Sequence, residues 1–310
     1  MRFRSDPVRY IRGSIAPVVT PFTDDGSLDI DGLADLIRWQ LESGSHGISL
    51  GGSTGEPSAQ STAERKAAID AAAEVIADKV PFLPGTGSAS LQETLELTTH
   101  AQAAGADAAL VITPYYARPT QEGLYQWYVT VARQVPDLPI LIYNVPSRTA
   151  VDIAPGTVSR LRKSCSNIVG VKETTTDFQH FSLVMNAVGR DVIMLSGIEL
   201  LCLPLLALGG SGFVSATANI APTATAQMYE FWAGGEHDKA RDLHYGLHPL
   251  VELTFTETNP GPVKWVLHQA GLIASACVRP PLTVPGAGAI ERMKQLLNDG
   301  RRVLNAPMGR

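Results

Sequence analysis

The chain has 310 residues, 45% of them hydrophobic, so a sizeable core is within reach. Charged residues make up only 18%, with 25 Lys and Arg against 30 Asp and Glu, and a formal charge of -5 spread evenly excludes a nucleic-acid footprint and generic attraction to an anionic membrane. Cys165, Cys202 and Cys277 lie far apart with no CxxC, which excludes a disulfide-built scaffold and points to a reducing compartment, the cytoplasm.

Short apolar runs alternate with helical stretches along most of the chain. The runs lie at 14–20, 46–50, 80–84, 108–112, 138–143, 168–172, 192–195 and 212–215, with ends 20 to 34 residues apart. That spacing fits a strand plus a helix that crosses back parallel. Between the first two runs, Ile30, Leu33, Ile37 and Leu41 recur near the helical period. Ser61, three residues before Glu64, reads as a capping box opening the next helix. After the 168–172 run, Phe178, Phe181 and Val184 form an apolar side, with Asp177 or one of the preceding threonines as its cap.

Continuous apolar strands suit either a barrel or a doubly wound sheet. Eight units favour the barrel, and no GxGxxG follows a strand; the glycine-rich stretch at 51–56 lacks the lysine of a P-loop. The fold class expected is α/β, a TIM (β/α)8 barrel over 8–221. Beyond 220 the alternation stops. Residues 222–256, 262–272 and 287–298 read as helices, giving a C-terminal helical domain over 222–305. The longest apolar stretch, 200–208, contains a proline and is too short to span a bilayer.

In such a barrel the chemistry sits at the C-terminal ends of the strands. Lys172 ends the apolar run Ile168-Val169-Gly170-Val171, where lost hydration favours the neutral amine, a nucleophile that forms a Schiff base with a carbonyl. The competing account is a lysine paired with Glu173 at the rim. Tyr143 ends the adjacent strand and can shuttle a proton, or can be a core tyrosine bonded to backbone. Ser53-Thr54-Gly55 offers hydroxyls and N–H groups to a small carboxylate, or is a plain turn. Arg148 can grip a second carboxylate, or is an ordinary surface charge. Together these residues describe a 2-oxo acid condensed with lysine to an iminium, which tautomerises to an enamine that attacks, or leaves, an aldehyde. The iminium is itself the electron sink, so no metal and no cofactor are expected. The seven histidines supply no HExxH and no HxH, and His244 and His248, at i,i+4 on one helix face, lie outside the expected mouth.

Gly52-Ser53-Thr54-Gly55-Glu56, Tyr143-Asn144-Val145-Pro146 and Gly170-Val171-Lys172-Glu173 stand in order, each at a strand end. With these motifs the chain resembles, from about residue 12 to 298, the dihydrodipicolinate synthase / N-acetylneuraminate lyase family of Schiff-base class I aldolases. Thr113-Pro114-Tyr115-Tyr116, Ser147-Arg148-Thr149 and Asn259-Pro260-Gly261-Pro262-Val263-Lys264 are most similar to the synthase branch. The resemblance implies that Lys172 forms the Schiff base with pyruvate. It makes Tyr143, Thr54 and Tyr116 a proton relay, with Tyr116 crossing from a neighbouring subunit. It assigns Arg148 to the carboxylate of aspartate 4-semialdehyde, and Ser53, Gly197 and the Val214 backbone to substrate binding. It further implies a homotetramer built as a dimer of dimers and a role in lysine and diaminopimelate biosynthesis.

Three departures touch the distal side of the site. Ser53 replaces a usual threonine, Thr174 a usual alanine, and Ile198-Glu199 a less bulky sequence. They leave open a related aldolase, lyase or dehydratase acting on a 2-oxo-3-deoxy sugar acid or another catabolic 2-oxo acid. A non-catalytic binding barrel is the remaining alternative, set against the presence of Lys172, Tyr143 and Thr54 together.

Overall fold

The structure, a computed structural model, describes residues 6–308. Its strands are β1 Gly13–Pro17, β2 Gly47–Leu50, β3 Phe82–Pro84, β4 Ala109–Ile112, β5 Ile140–Asn144, β6 Ile168–Glu173, β7 Ile193–Ser196 and β8 Gly212–Val214. The helices are α1 Pro7–Tyr10, α2 Ile30–Glu42, α3 Thr62–Ile76, α4 Leu91–Ala103, α5 Gln121–Gln134, α6 Pro146–Thr149 and α7 Pro155–Ser164. They continue with α8 Phe178–Val188, α9 Cys202–Ala207, α10 Pro222–Ala233, α11 His237–Gly246, α12 His248–Thr254, α13 Gly261–Gln269 and α14 Ala287–Asp299.

All eight strands fall on the apolar runs read from the sequence. They form one sheet in the order β3-β2-β1-β8-β7-β6-β5-β4. The two ends of that order, β3 and β4, meet just past β3: Gly85 bridges Leu110 in parallel, and the Thr86 N–H donates to the Leu110 carbonyl at 2.9 Å. The closed parallel sheet is the (β/α)8 barrel that the strand count predicts. Among the described residues no helix is long and apolar enough to cross a membrane.

Internal packing divides the chain into two compact units. One comprises Pro81–Val214 with residues 6–12, and carries β3 to β8. Here Gly170 allows β6 and β7 to lie close, because a Cβ at that position would come within 2.6 Å of the Ile193 Cβ. On α8, Asp177 caps the first turn by accepting from the Gln179 N–H at 2.9 Å, and Phe181 and Val184 are buried. Phe178 departs from expectation: it is exposed, and His180 takes a buried place instead.

The second unit joins Gly13–Val80 to residues 215–308, and carries β1, β2 and α10 to α14. In α2, Leu33, Leu36 and Ile37 are buried, while Ile30 and Leu41 are half-buried. The capping box of α3 is present: Glu64 N–H donates to Ser61 Oγ at 3.2 Å, and Ser61 N–H donates to Glu64 Oε2 at 2.8 Å. The single helix expected over 222–256 is three helices. Gly235, with φ 79, ends the first in a conformation that suits glycine, and Pro249, which has no N–H to give, sits in the opening turn of the third.

Candidate active site

Within the first unit, strand register decides which side chains meet. Tyr143 of β5 pairs with Lys172 of β6, and Asn144 with Glu173. Side chains alternate across a strand, so Tyr143 and Lys172 share one face while Asn144 and Glu173 share the other. The Lys172 ammonium lies 4.0 Å from the centre of the Tyr143 ring. Lys172 is only 5% exposed and, among the described residues, makes no ion pair and no hydrogen bond. Among those residues the ring face is the only partner of that amine and no carboxylate ties it down, which leaves it available to react.

Glu173 finds its partners behind the strand. Asn144 Nδ2 donates to its two carboxylate oxygens at 2.8 and 3.1 Å, the Thr174 N–H donates at 3.0 Å, and His180 Nε2 stands 3.3 Å away. The pairing of Lys172 with Glu173 weighed from sequence is therefore absent. Burial raises the Glu173 carboxyl above its usual range, against the bonds from His180 and Asn144. Its bond to Glu173 in turn raises His180.

Gly197 follows β7, and its N–H donates to the Glu173 carbonyl at 2.7 Å. A Cβ here would lie 3.0 Å from Lys172 Cε and would collide with Thr174 Oγ1. Glycine thus leaves room for the lysine side chain. The Thr174 hydroxyl is buried without a hydrogen-bond partner. Lys172, Tyr143, Gly197 and Thr174 are brought together. Ile198 is half-buried and Glu199 buried, in the turn that Ser196 Oγ closes by donating to the Ile198 carbonyl at 2.9 Å. Val214 is buried at the end of β8.

In the second unit, Ser53–Gly55 forms a 3-10 turn directly after β2. Asn259 Nδ2 donates to Thr54 Oγ1 at 2.9 Å, and Thr20 Oγ1 donates to the Gly55 carbonyl at 2.8 Å. Glu56 closes the turn in the left-handed region, with φ 52. Its carboxylate pairs with Lys264 Nζ at 2.6 Å and accepts the Arg279 N–H at 2.9 Å, and both Glu56 and Lys264 side chains are shut off from solvent. Burial pulls Lys264 below its ordinary value, and Glu56 opposes the shift. Arg279 also grips Glu64 with two N–H groups, at 2.5 and 3.0 Å, and lies 4.2 Å above the Phe22 ring. Residues from 259 to 279 thus fix the turn that carries Ser53 and Thr54. Sequence reading gave Asn259 and Lys264 a motif but no role, and missed Arg279 altogether.

The Arg279 guanidinium holds the Glu64 carboxyl down to about 2. A carboxyl depressed in the fold stabilises it above the ordinary value of 4.5 and loses that contribution as pH falls towards about 2. Arg279→Gln is expected to remove this part of the acid sensitivity. Thermal melts across that window check it: the variant is expected to lose at most about 1 kcal/mol at the upper end of the window, because the pair is partly exposed, and nothing at the lower end. Identical pH profiles for the two proteins contradict it.

Comparison with known proteins agrees with these motifs. The Dihydrodipicolinate synthetase family profile matches residues 10–299. The chain belongs to this family. A 4-hydroxy-tetrahydrodipicolinate synthase of Thermus thermophilus is 46% identical over 285 residues, covering 92% of this chain and 95% of the relative. The crystal structure of the Aquifex aeolicus dihydrodipicolinate synthase superposes with a TM-score of 0.91 at 36% identity, covering 95% of this chain and all of that one. The chloride-inhibited dihydrodipicolinate synthase of Acinetobacter baumannii, complexed with pyruvate, matches with a TM-score of 0.90 at 39% identity over 94% of this chain and 99% of that one.

Two further residues of this dihydrodipicolinate synthetase family member stand open to solvent. Arg148, in the short helix α6 straight after β5, is exposed, and its guanidinium makes no ion pair among the described residues. Tyr116, after β4, is 93% exposed and held at φ 72. A bulky side chain in the left-handed region is strained, a state usually kept where function or assembly requires it. Among the described residues, no three His, Cys, Asp or Glu side chains converge in a way that could hold a metal ion.

Proposed function

We propose that this enzyme condenses pyruvate with aspartate 4-semialdehyde, the reaction of 4-hydroxy-tetrahydrodipicolinate synthases, in lysine and diaminopimelate biosynthesis. The observation that carries the reading is the buried, unpaired Lys172 against the Tyr143 ring. The Lys172 amine adds to the pyruvate carbonyl carbon, and loss of water leaves an iminium. That cation draws electrons from the methyl group, which gives up a proton to form the enamine. The enamine carbon then bonds to the aldehyde carbon, whose oxygen takes up a proton, and the substrate's own amine attacks the restored iminium carbon and displaces Lys172, closing the ring. Tyr143 is placed to carry protons at the lysine-bound carbon.

The roles of Thr54, Tyr116, Ser53 and Val214 rest on the family resemblance, as does the homotetramer, whereas the cytoplasmic location rests on the scattered cysteines and the division into a barrel over 8–221 with a helical domain over 222–305 on where the strand–helix alternation stops. The exposure of Tyr116 supports the reading that it serves a neighbouring subunit. Arg148 is proposed to bind the carboxylate of the aldehyde. Arg148→Ala is accordingly expected to raise the KM for aspartate semialdehyde at least about tenfold and to leave the KM for pyruvate nearly unchanged. Equal damage to both would make it a scaffold residue.

A coupled assay with both substrates and dihydrodipicolinate reductase tests the function. Turnover with kcat/KM of roughly 10⁴ M⁻¹s⁻¹ or more supports it. One observation favours a second reading: the buried Thr174 hydroxyl beside Gly197 and Lys172 lacks a partner, as a site for a hydroxylated 2-oxo acid would require. Trace turnover with aspartate semialdehyde, together with cleavage of 2-oxo-3-deoxy sugar acids, would establish that alternative. Failure to trap pyruvate on well-folded protein with borohydride would leave only a binding role.

A further inference from the structure

A threonine hydroxyl holds one proton and two lone pairs, and what it bonds to decides whether it gives or takes. Thr54 is buried, and its Oγ1 accepts from the side-chain amide of Asn259, itself buried, at 2.9 Å. Among the described residues this is the only hydrogen bond of that hydroxyl, so its proton is left without an acceptor. The turn itself is anchored elsewhere, by Thr20 and Gln60 on the Gly55 carbonyl and by Lys264 and Arg279 on Glu56. Those contacts fix the backbone and leave the orientation of the Thr54 hydroxyl to Asn259. An acceptor in the place of that amide would draw the Thr54 proton towards itself.

We propose that Asn259 is a positioning residue whose amide donates to Thr54 and so keeps the Thr54 proton free to be passed on. The proposal rests on the reading that Thr54 carries a proton in the aldolase reaction. Asn259 touches no reacting atom and acts only through that hydroxyl.

Asn259→Asp tests the direction of the bond, because it keeps the shape and, when ionised, can only accept. At neutral pH kcat is expected to fall roughly 100-fold, within the range for loss of a proton-transfer group, with the KM for pyruvate within about threefold of the parent. Asn259→Ala removes the donor without adding an acceptor and is expected to cost only about tenfold in kcat. In a Thr54→Val background both changes should alter the residual kcat by less than about twofold. Parent-like activity in Asn259→Asp overturns the proposal, as does equal loss in the Asp and Ala variants or an undiminished effect without the Thr54 hydroxyl. Thermal melts identify a variant that fails to fold. If Asn259→Asp fails to fold, the Ala variant with and without Thr54→Val decides alone, through the loss of coupling and the unchanged KM. Parent-like activity of Thr54→Val by itself refutes the relay reading instead, and is read separately from every Asn259 result.

Discussion

Lys172→Met is expected to abolish turnover while leaving the protein as stable as the parent or more so. The Lys172 side chain is largely buried, and its ammonium has an aromatic face as its neighbour and no carboxylate. Such a charge is unfavourable to the fold, and an apolar chain of similar length removes that cost. The same change deletes the only nucleophile that the proposed chemistry has, so kcat should drop by at least roughly 10³-fold. Two measurements check the pair of effects: the melting temperature, and the mass gained on borohydride reduction with pyruvate. Trapping should vanish in the variant and map to Lys172 in the parent. A lowered melting temperature with activity retained would assign the lysine to structure.

Lys264→Met should have the opposite outcome. Lys264 pairs with Glu56 at 2.6 Å where neither side chain reaches solvent, and its ammonium also donates to the Cys277 carbonyl at 2.8 Å. Removing the lysine strands the Glu56 carboxylate, with the Arg279 N–H as its remaining donor. Breaking a buried pair from one side costs about 3–5 kcal/mol, whereas replacing both members by neutral groups costs far less. The single variant is expected to lose that much in denaturant melts, and Lys264→Met with Glu56→Gln to recover most of it. A loss under about 1 kcal/mol in the single variant would mean the pair contributes little.

The contrast between these two lysines marks how far the sequence could be read. Each ends or follows a recognisable motif, and position alone singled out Lys172. Its environment was less legible. Sequence reading ended the strand at Lys172, which left Glu173 free to turn back as a partner. The strand in fact runs one residue further, and the pleat sends Glu173 towards His180. The eight strands were legible because each is a short apolar run at a regular interval. The breaks at Gly235 and Pro249 were present in the sequence, but a continuous helical reading was carried across both. Nothing local announces that Asn259 bonds to Thr54, since 205 residues separate them. The left-handed backbone at Tyr116 was equally silent, because tyrosine, unlike glycine, gives no sign of it.

The clamp on the Ser53–Gly55 turn also sets an order of events during synthesis. That turn follows β2 in the chain, yet Asn259, Lys264 and Arg279, which hold it, are made only after β8. At about 5–20 residues per second, the 205 residues between Thr54 and Asn259 take roughly 10–40 s to add. A nascent chain that has just completed β8 contains every strand and still lacks the groups that lock this turn. The turn is therefore locked only after every strand has been made, and a message cut short just beyond β8 would yield a chain with all its strands and no fixed Thr54.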